Sequence, residues 1–303
     1  MPANAHITRR QFLAAGSAMA AGIASPSALL QAAPPPGSAK PRLKIAAFEK
    51  PLQSLGFEAL ADFLAELGFD GVATTVRKGG HVPPERVEED LPRMAAALRK
   101  RNLEITELTT DITRVDQPDA EKVLRTAARL GVKLYRLGSL RYDLKQPILP
   151  QLDAFRAQFK DLAALNKGLG LAGVYQIHSG ASNVGAPVWD IHSLVKDYDV
   201  SVLGIAFDVR HAAVEGGTCW PINFHLVRPH IGIVYAKDFE WQGKKAQNVP
   251  LGQGMVDPKF YQMLRQTNYT GPICLHVEYP LPEELPGIAA AFRRDLAALK
   301  AWL

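Results

Sequence analysis

Short apolar or β-branched runs alternate with longer stretches of helical period along most of the chain. The runs fall at 43–48, 71–75, 104–109, 133–137, 172–178, 203–208, 231–237 and 273–278. Runs of this length and composition read as strands. Between them, apolar residues recur at steps of three or four: Phe57, Leu60, Leu64 and Leu67, then Leu91, Met94 and Leu98, then Val123, Ala127 and Leu130. The segments 152–169 and 288–303 are amphipathic too, the second with Phe292, Leu296 and Leu299 on one side and Arg293, Arg294 and Lys300 on the other. Gly68 and Gly131 sit where helix C-caps are needed. Eight strand–helix units in order, without an antiparallel hairpin signal, predict a single parallel (β/α)8 barrel over 40–303. An open doubly wound sheet usually carries a glycine-rich phosphate loop after its first strand. Here that position reads Glu49-Lys50-Pro51-Leu52-Gln53, and no dinucleotide or phosphate-loop fingerprint occurs elsewhere.

The first 39 residues break the pattern. They contain no Asp or Glu, and their only formal charges are Arg9 and Arg10, within Thr8-Arg9-Arg10-Gln11-Phe12-Leu13. A weakly apolar stretch rich in Ala and Gly follows, and Pro34-Pro35-Pro36 ends it. This resembles a bacterial twin-arginine signal peptide followed by a proline-rich linker. Its implied partner is the twin-arginine translocase, and its implied destination is the periplasm. Gly16, Gly22 and Pro26 interrupt the stretch, which argues against a stable membrane anchor. The remaining length suits the roughly 250 residues of one (β/α)8 barrel.

Composition narrows the classes further. The 303 residues carry a net charge of +5 without a long basic block, so nucleic-acid binding is not the default. Two cysteines, Cys219 and Cys274, exclude a disulfide framework or a four-thiolate zinc site, and they read as two buried thiols. In a barrel of this kind the chemistry lies at the C-terminal strand ends. Those ends hold Glu49 and Lys50; Arg77, Lys78 and His81; Thr110 and Asp111; Arg136; Gln176 and His178; Asp208 and His211; Tyr235, Lys237 and Asp238; and His276 and Glu278. So dense a polar ring suits a polyhydroxylated ligand. Asp208 and Glu278 end apolar strands, where a carboxylate is costly unless paired or used. Trp241 follows strand seven and is suited to stacking on a sugar ring. Arg77, Lys78 and His81 with Gly79-Gly80 form a basic loop, read either as a solvated loop or as a clamp for a phosphate or uronate.

Four short motifs in order resemble the sugar phosphate isomerase/epimerase superfamily, the xylose isomerase-like barrels. They are Asp208-Val209-Arg210-His211, Tyr235-Ala236-Lys237-Asp238, Leu251-Gly252-Gln253-Gly254 and the closing strand that ends at Glu278. The resemblance implies a divalent ion (Mg2+, Mn2+ or Zn2+) held by residues at the positions of Gln176, Asp208, Tyr235 and Glu278. Two of these depart from the family's Glu and His, so weak or absent metal binding is expected, with His211 as a substitute ligand. The implied reaction is proton transfer beside a sugar carbonyl. Glu278, His211, Lys237 and His178 are its candidate catalytic residues. Glu49, Arg136, Gln176, Tyr235 and Trp241 are its candidate substrate contacts. Gln176 cannot accept a proton, which keeps a lyase or a non-catalytic sugar-binding barrel in play beside an isomerase or epimerase. A DNA-repair endonuclease of the endonuclease IV type shares the barrel, but the changed ligand positions and the export signal disfavour it.

Overall fold

The computed structural model describes residues 42–303, so the twin-arginine segment lies outside the described residues. Eight parallel strands close into a barrel: β1 (Ile45–Phe48), β2 (Gly71–Val76), β3 (Glu104–Thr110), β4 (Leu134–Arg136), β5 (Ala172–Gln176), β6 (Leu203–Asp208), β7 (Ile231–Ala236) and, after a hairpin, β10 (Ile273–Leu275). β1 pairs with both β2 and β10, which leaves the sheet no free edge. Helices α1 (Phe57–Leu67), α2 (Val87–Arg99), α3 (Ala120–Leu130), α4 (Ile148–Leu169), α5 (Trp189–Val195), α6 (Val209–Gly216), α7 (Trp220–Val227), α8 (Lys259–Arg265) and α9 (Leu285–Trp302) occupy the crossovers. The predicted fold class is therefore the observed one. None of the described helices is long and apolar enough to cross a membrane.

Strand alternation divides the apolar residues into two layers. Inside the barrel, Phe48, Val174, Ile233, Tyr235 and Cys274 pack with the small Ala46, Ala73 and Ala206. Mixing large and small side chains lets them interdigitate within a narrow cylinder. Outside it, residues such as Val72, Leu108 and Ile205 meet the apolar faces of the helices, including Leu60, Leu64, Leu98 and Phe292. Gly68 and Gly131 take φ of 78° and 83° and return backbone N–H groups to the last turns of α1 and α3, as their positions predicted.

Three features differ from the sequence expectation. The segment after β7 is an antiparallel hairpin, β8 (Asp238–Gln242) with β9 (Lys245–Val249), turning through Gly243 and Lys244. Its strands are mostly polar and, past the buried Asp238 and Phe239, exposed or half-buried, so no apolar run announced them. Cys219 is exposed rather than buried; it precedes α7 on the surface, while Cys274 is sealed in β10 and both thiols are free. Finally, β5, β7 and β10 stop at Gln176, Ala236 and Leu275. His178, Lys237, His276 and Glu278 therefore stand just beyond the ladder, where side chains are free to converge over the barrel mouth.

Candidate active site at the mouth of the barrel

Asp208 closes β6 and caps α6, its Oδ1 accepting the backbone N–H of His211 at 3.2 Å. Its Oδ2 accepts from the Gln176 amide at 2.8 Å and faces the Lys237 ammonium at 3.1 Å. Lys237 reaches Glu278 Oε2 on its other side at 2.8 Å. Glu278 is also approached by Lys50 at 3.3 Å and by His276 Nδ1 at 3.3 Å. A single buried ammonium following β7 thus bridges two carboxylates from the strands on either side of it, β6 and β10. Burial opposes the charge on each of the three groups, but their mutual attraction prevails. It raises Lys237 above its usual value and, with the neighbouring His211 and His276, holds Asp208 and Glu278 far below the carboxylate range.

Hydrogen-bond partners fix the protonation of His211. His211 Nδ1 receives the backbone N–H of Ser179 at 3.1 Å and the Arg210 guanidinium at 2.8 Å. Neither partner can accept, so Nδ1 bears the lone pair and Nε2 the proton, which faces Asp208 Oδ2 at 3.7 Å. Burial keeps this ring neutral, well below the usual histidine pKa. His178 lies 3.9 Å from the His211 ring, centre to centre. Its Nδ1 lies 3.1 Å from the Ser179 carbonyl, an acceptor, and 3.3 Å from the Asn183 amide nitrogen, a donor, so it can either donate to the first or accept from the second. Burial lowers the His178 pKa. His276 is wedged between Phe48 and Tyr235, and burial beside Lys237 brings it down to about 4.

The remaining sequence candidates divide into those that join this cluster and those that do not. Gln176 joins it, and its amide orientation is set by Arg136, which donates to Oε1 at 2.8 Å. Tyr235 lies beneath the cluster and gives its hydroxyl to both oxygens of Glu107, at 2.7 and 2.8 Å. Glu49 is sealed, accepting from Thr75 and pairing with His81 at 3.2 Å. His81 Nε2 faces the Leu55 carbonyl while Nδ1 faces the Glu49 carboxylate. Both ring nitrogens therefore face acceptors, and despite burial the Glu49 hydrogen bond raises the His81 pKa. Trp241 is on β8, exposed, with its ring edge-on to Phe239.

Sequence reasoning overlooked Glu107. The β2–β3 register shifts between Val72 and Ala73, so Thr106 is skipped and Glu107 turns inward beside Ala73. Burial pushes its carboxyl up to about 7. The available signal was a glutamate between Ile105 and Leu108 in a β-branched run; the bulge that aims it was not legible.

The donors do not fit a divalent ion as the family resemblance would arrange it. The Lys237 ammonium occupies the approach between Asp208 and Glu278. Gln176 offers Asp208 its N–H rather than its carbonyl oxygen, Tyr235 is committed to Glu107, and His211 turns a proton toward Asp208. Among the described residues, no group of three or more His, Cys, Asp or Glu side chains is gathered in a metal-binding arrangement.

Comparison with known proteins bears on this geometry. A family described as the xylose isomerase-like TIM barrel matches residues 61–302. No curated protein matches the sequence. Among solved structures, the chain is similar to 3-keto-D-glucoside 4-epimerase from E. coli, with 17% identity and a TM-score of 0.65 over 86% of this chain and 100% of that one. It is also similar to the probable 3-DHS dehydratase from Bacillus anthracis (14%, TM-score 0.66, 85% and 99% covered). A D-allulose 3-epimerase from Methylomonas sp. is similar at 17%, with a TM-score of 0.64 and 88% and 100% covered. At these identities the likeness is one of fold.

Proposed function

Because the chain belongs to the xylose isomerase-like TIM barrel family, we propose that it is a sugar isomerase-like enzyme that moves a proton beside a carbonyl without a divalent ion. Similarity to a 3-keto-D-glucoside 4-epimerase and a D-allulose 3-epimerase supports a carbohydrate substrate. The observation that carries the chemistry is the Lys237 ammonium held between Asp208 and Glu278. An ammonium has three donors, and the two carboxylates engage two. The third is suited to a carbonyl oxygen that becomes an oxyanion.

The base in this reading is His178, which burial keeps neutral at pH 7 and whose Nε2 carries the lone pair when Nδ1 donates to the Ser179 carbonyl. Glu278 is a poorer base while Lys237 and Lys50 share its charge. The proton leaves the carbon beside the carbonyl for His178 Nε2. The C–H electron pair forms a C=C bond, and the carbonyl π pair moves onto the oxygen facing Lys237. Return of the proton to the adjacent carbon, with a hydroxyl proton passing between the two oxygens, completes an isomerisation. One base works on one face of the sugar, so this geometry favours isomerisation over epimerisation, which needs a second proton carrier opposite. The reading includes export, which rests on Arg9-Arg10 and the acid-free run behind them.

The test is deuterium uptake from D2O into a panel of aldoses and keto-sugars. The native protein is expected to label one of them, and His178→Asn to slow labelling on the order of 100-fold, the scale of a general base. Undiminished labelling by that variant would remove His178 from the role. Thorough chelation is expected to leave the rate unchanged; loss restored by Mn2+ would overturn the metal-independent part. Binding of sugars without any exchange would favour the non-catalytic alternative.

A further inference from the structure

Two guanidinium groups flank β3 at the barrel mouth, and among the described residues neither is hydrogen-bonded to a carboxylate. Arg77 follows β2, whose Val76 pairs with Thr110, and Arg136 ends β4, paired with Thr109. The nearest acid to Arg77 is Asp111 at 4.0 Å, with a side chain 57% exposed against 22% for the arginine. A pair that loose and that wet contributes about 0–1 kcal/mol at most. Arg136 donates through one nitrogen to Gln176, a neutral acceptor. Its Nε is fully buried without a hydrogen-bond partner. The two central carboxylates cannot serve either arginine, because Lys237, Lys50 and Gln176 already engage them. Burial, and after it the Arg136 charge, lowers the Arg77 pKa against the weaker pull of Asp111, Glu278 and Glu49.

Partly buried charges are ordinarily paired, and an unmatched pair of guanidiniums suits a planar anion. From this arrangement we infer that the substrate is an acidic sugar, whose anionic group Arg77 and Arg136 hold while Lys237 takes the carbonyl end. The basic loop after β2 thereby gains a function, as a clamp rather than a solvated turn. This inference rests on the proposed sugar chemistry, but its test reads binding and not turnover.

The experiment titrates the full-length protein calorimetrically with D-glucuronate, D-galacturonate and D-glucose 6-phosphate, each against its neutral hexose. An acidic sugar is expected to bind at least ~10-fold tighter than its neutral counterpart, the scale of one charge-assisted hydrogen bond. The preference is expected to shrink as NaCl is raised. Arg77→Gln should bring it to within about 2-fold while the melting temperature holds, since this side chain makes only one loose ion pair. Arg77→Lys should recover part of the preference, by charge without the fork. Preference for a uronate identifies the anion as a carboxylate, and preference for the 6-phosphate identifies a phosphoryl group. Equal affinity for acid and neutral sugars, no binding of either, or an acid preference untouched in Arg77→Gln would overturn the inference. Deuterium exchange into a neutral sugar alongside equal affinities would sink this inference and leave the isomerase reading standing. Acid-selective binding without exchange would do the reverse.

Discussion

Lys237 is one residue whose removal should be felt twice. Its ammonium is the shared counter-ion of Asp208, wholly buried, and Glu278, whose side chain is 18% exposed. Breaking a buried pair from one side leaves unpaired charge, at a cost of about 3–5 kcal/mol. Lys237→Met is therefore expected to lower the unfolding free energy from urea titration by an amount in that range, with a matching fall in midpoint, and to abolish exchange activity. An unchanged midpoint would mean that the carboxylates find other partners. The proposed base gives a second expectation at this scale. Burial lowers the His178 pKa below 6.5, and the neutral ring is the active form. The profile of kcat/KM should then be flat near neutrality and fall only on acidification below pH 6.5, a limb absent in His178→Asn. An acid limb above pH 7 would point to another group. Asp208, Lys237 and Glu278 were legible in the sequence because a charged residue ending an apolar strand must be paired or used, and His211 by its place three residues after Asp208. Their protonation and pairing were not legible. Only three-dimensional partners decide that Gln176 turns its N–H to Asp208 and that His211 Nδ1 accepts.

At the scale of elements, the hairpin after β7 is held to the mouth by its first residue. Asp238 accepts the backbone N–H groups of Phe239 and Val256 on Oδ1 and of Gly252 and Gly254 on Oδ2, at 2.8–3.0 Å. It thus ties β8 to the turn Leu251-Gly252-Gln253-Gly254. Arg210 Nη2 donates to the Ala246 carbonyl, and the Asn248 amide donates to that of Glu278, stitching β9 across the site. Asp238→Ala leaves four backbone donors without their acceptor and is expected to destabilise the fold by about 3 kcal/mol. Thermal unfolding checks this, and a shift of less than 1 °C would refute it. The barrel strands were readable because each is an apolar run with a periodic helix after it. The hairpin was not, because its strands are wet and its only announcement is Gly243 at a positive φ in a two-residue turn.

For the molecule as a whole, closure of the barrel between β1 and β10 lies entirely within residues 42–303. Removing residues 1–39 is expected to leave the melting temperature unchanged. A large fall would mean that the segment contributes to the fold. The paired arginines predict a separate outcome. Arg9→Lys with Arg10→Lys should strand the protein in the cytoplasm, and normal periplasmic fractionation of that variant would refute the export reading. Length and the count of alternating runs made the closed fold legible. The surface position of Cys219 was not, since a lone thiol in a mixed segment carries no local mark of its exposure.

The buried Glu107 makes folding an act of proton uptake. Its carboxyl titrates at about 7 in the folded barrel, against 4.5 for an unburied side chain. Between those values the native chain holds a proton that the unfolded chain releases. A raised carboxyl pKa therefore costs nothing in stability below pH 4.5. The penalty grows as pH rises through that window and is complete above pH 7, at about 3 kcal/mol. Glu107→Gln keeps an acceptor for the Tyr235 hydroxyl and removes the proton. Its stability relative to the native protein should climb by roughly that amount between pH 4.5 and 8. Near pH 6, the calorimetric enthalpy of native unfolding should vary with the ionisation enthalpy of the buffer more than the variant's does. A stability difference that stays flat with pH would mean that Glu107 folds already ionised, with the Tyr235 hydroxyl as sufficient compensation.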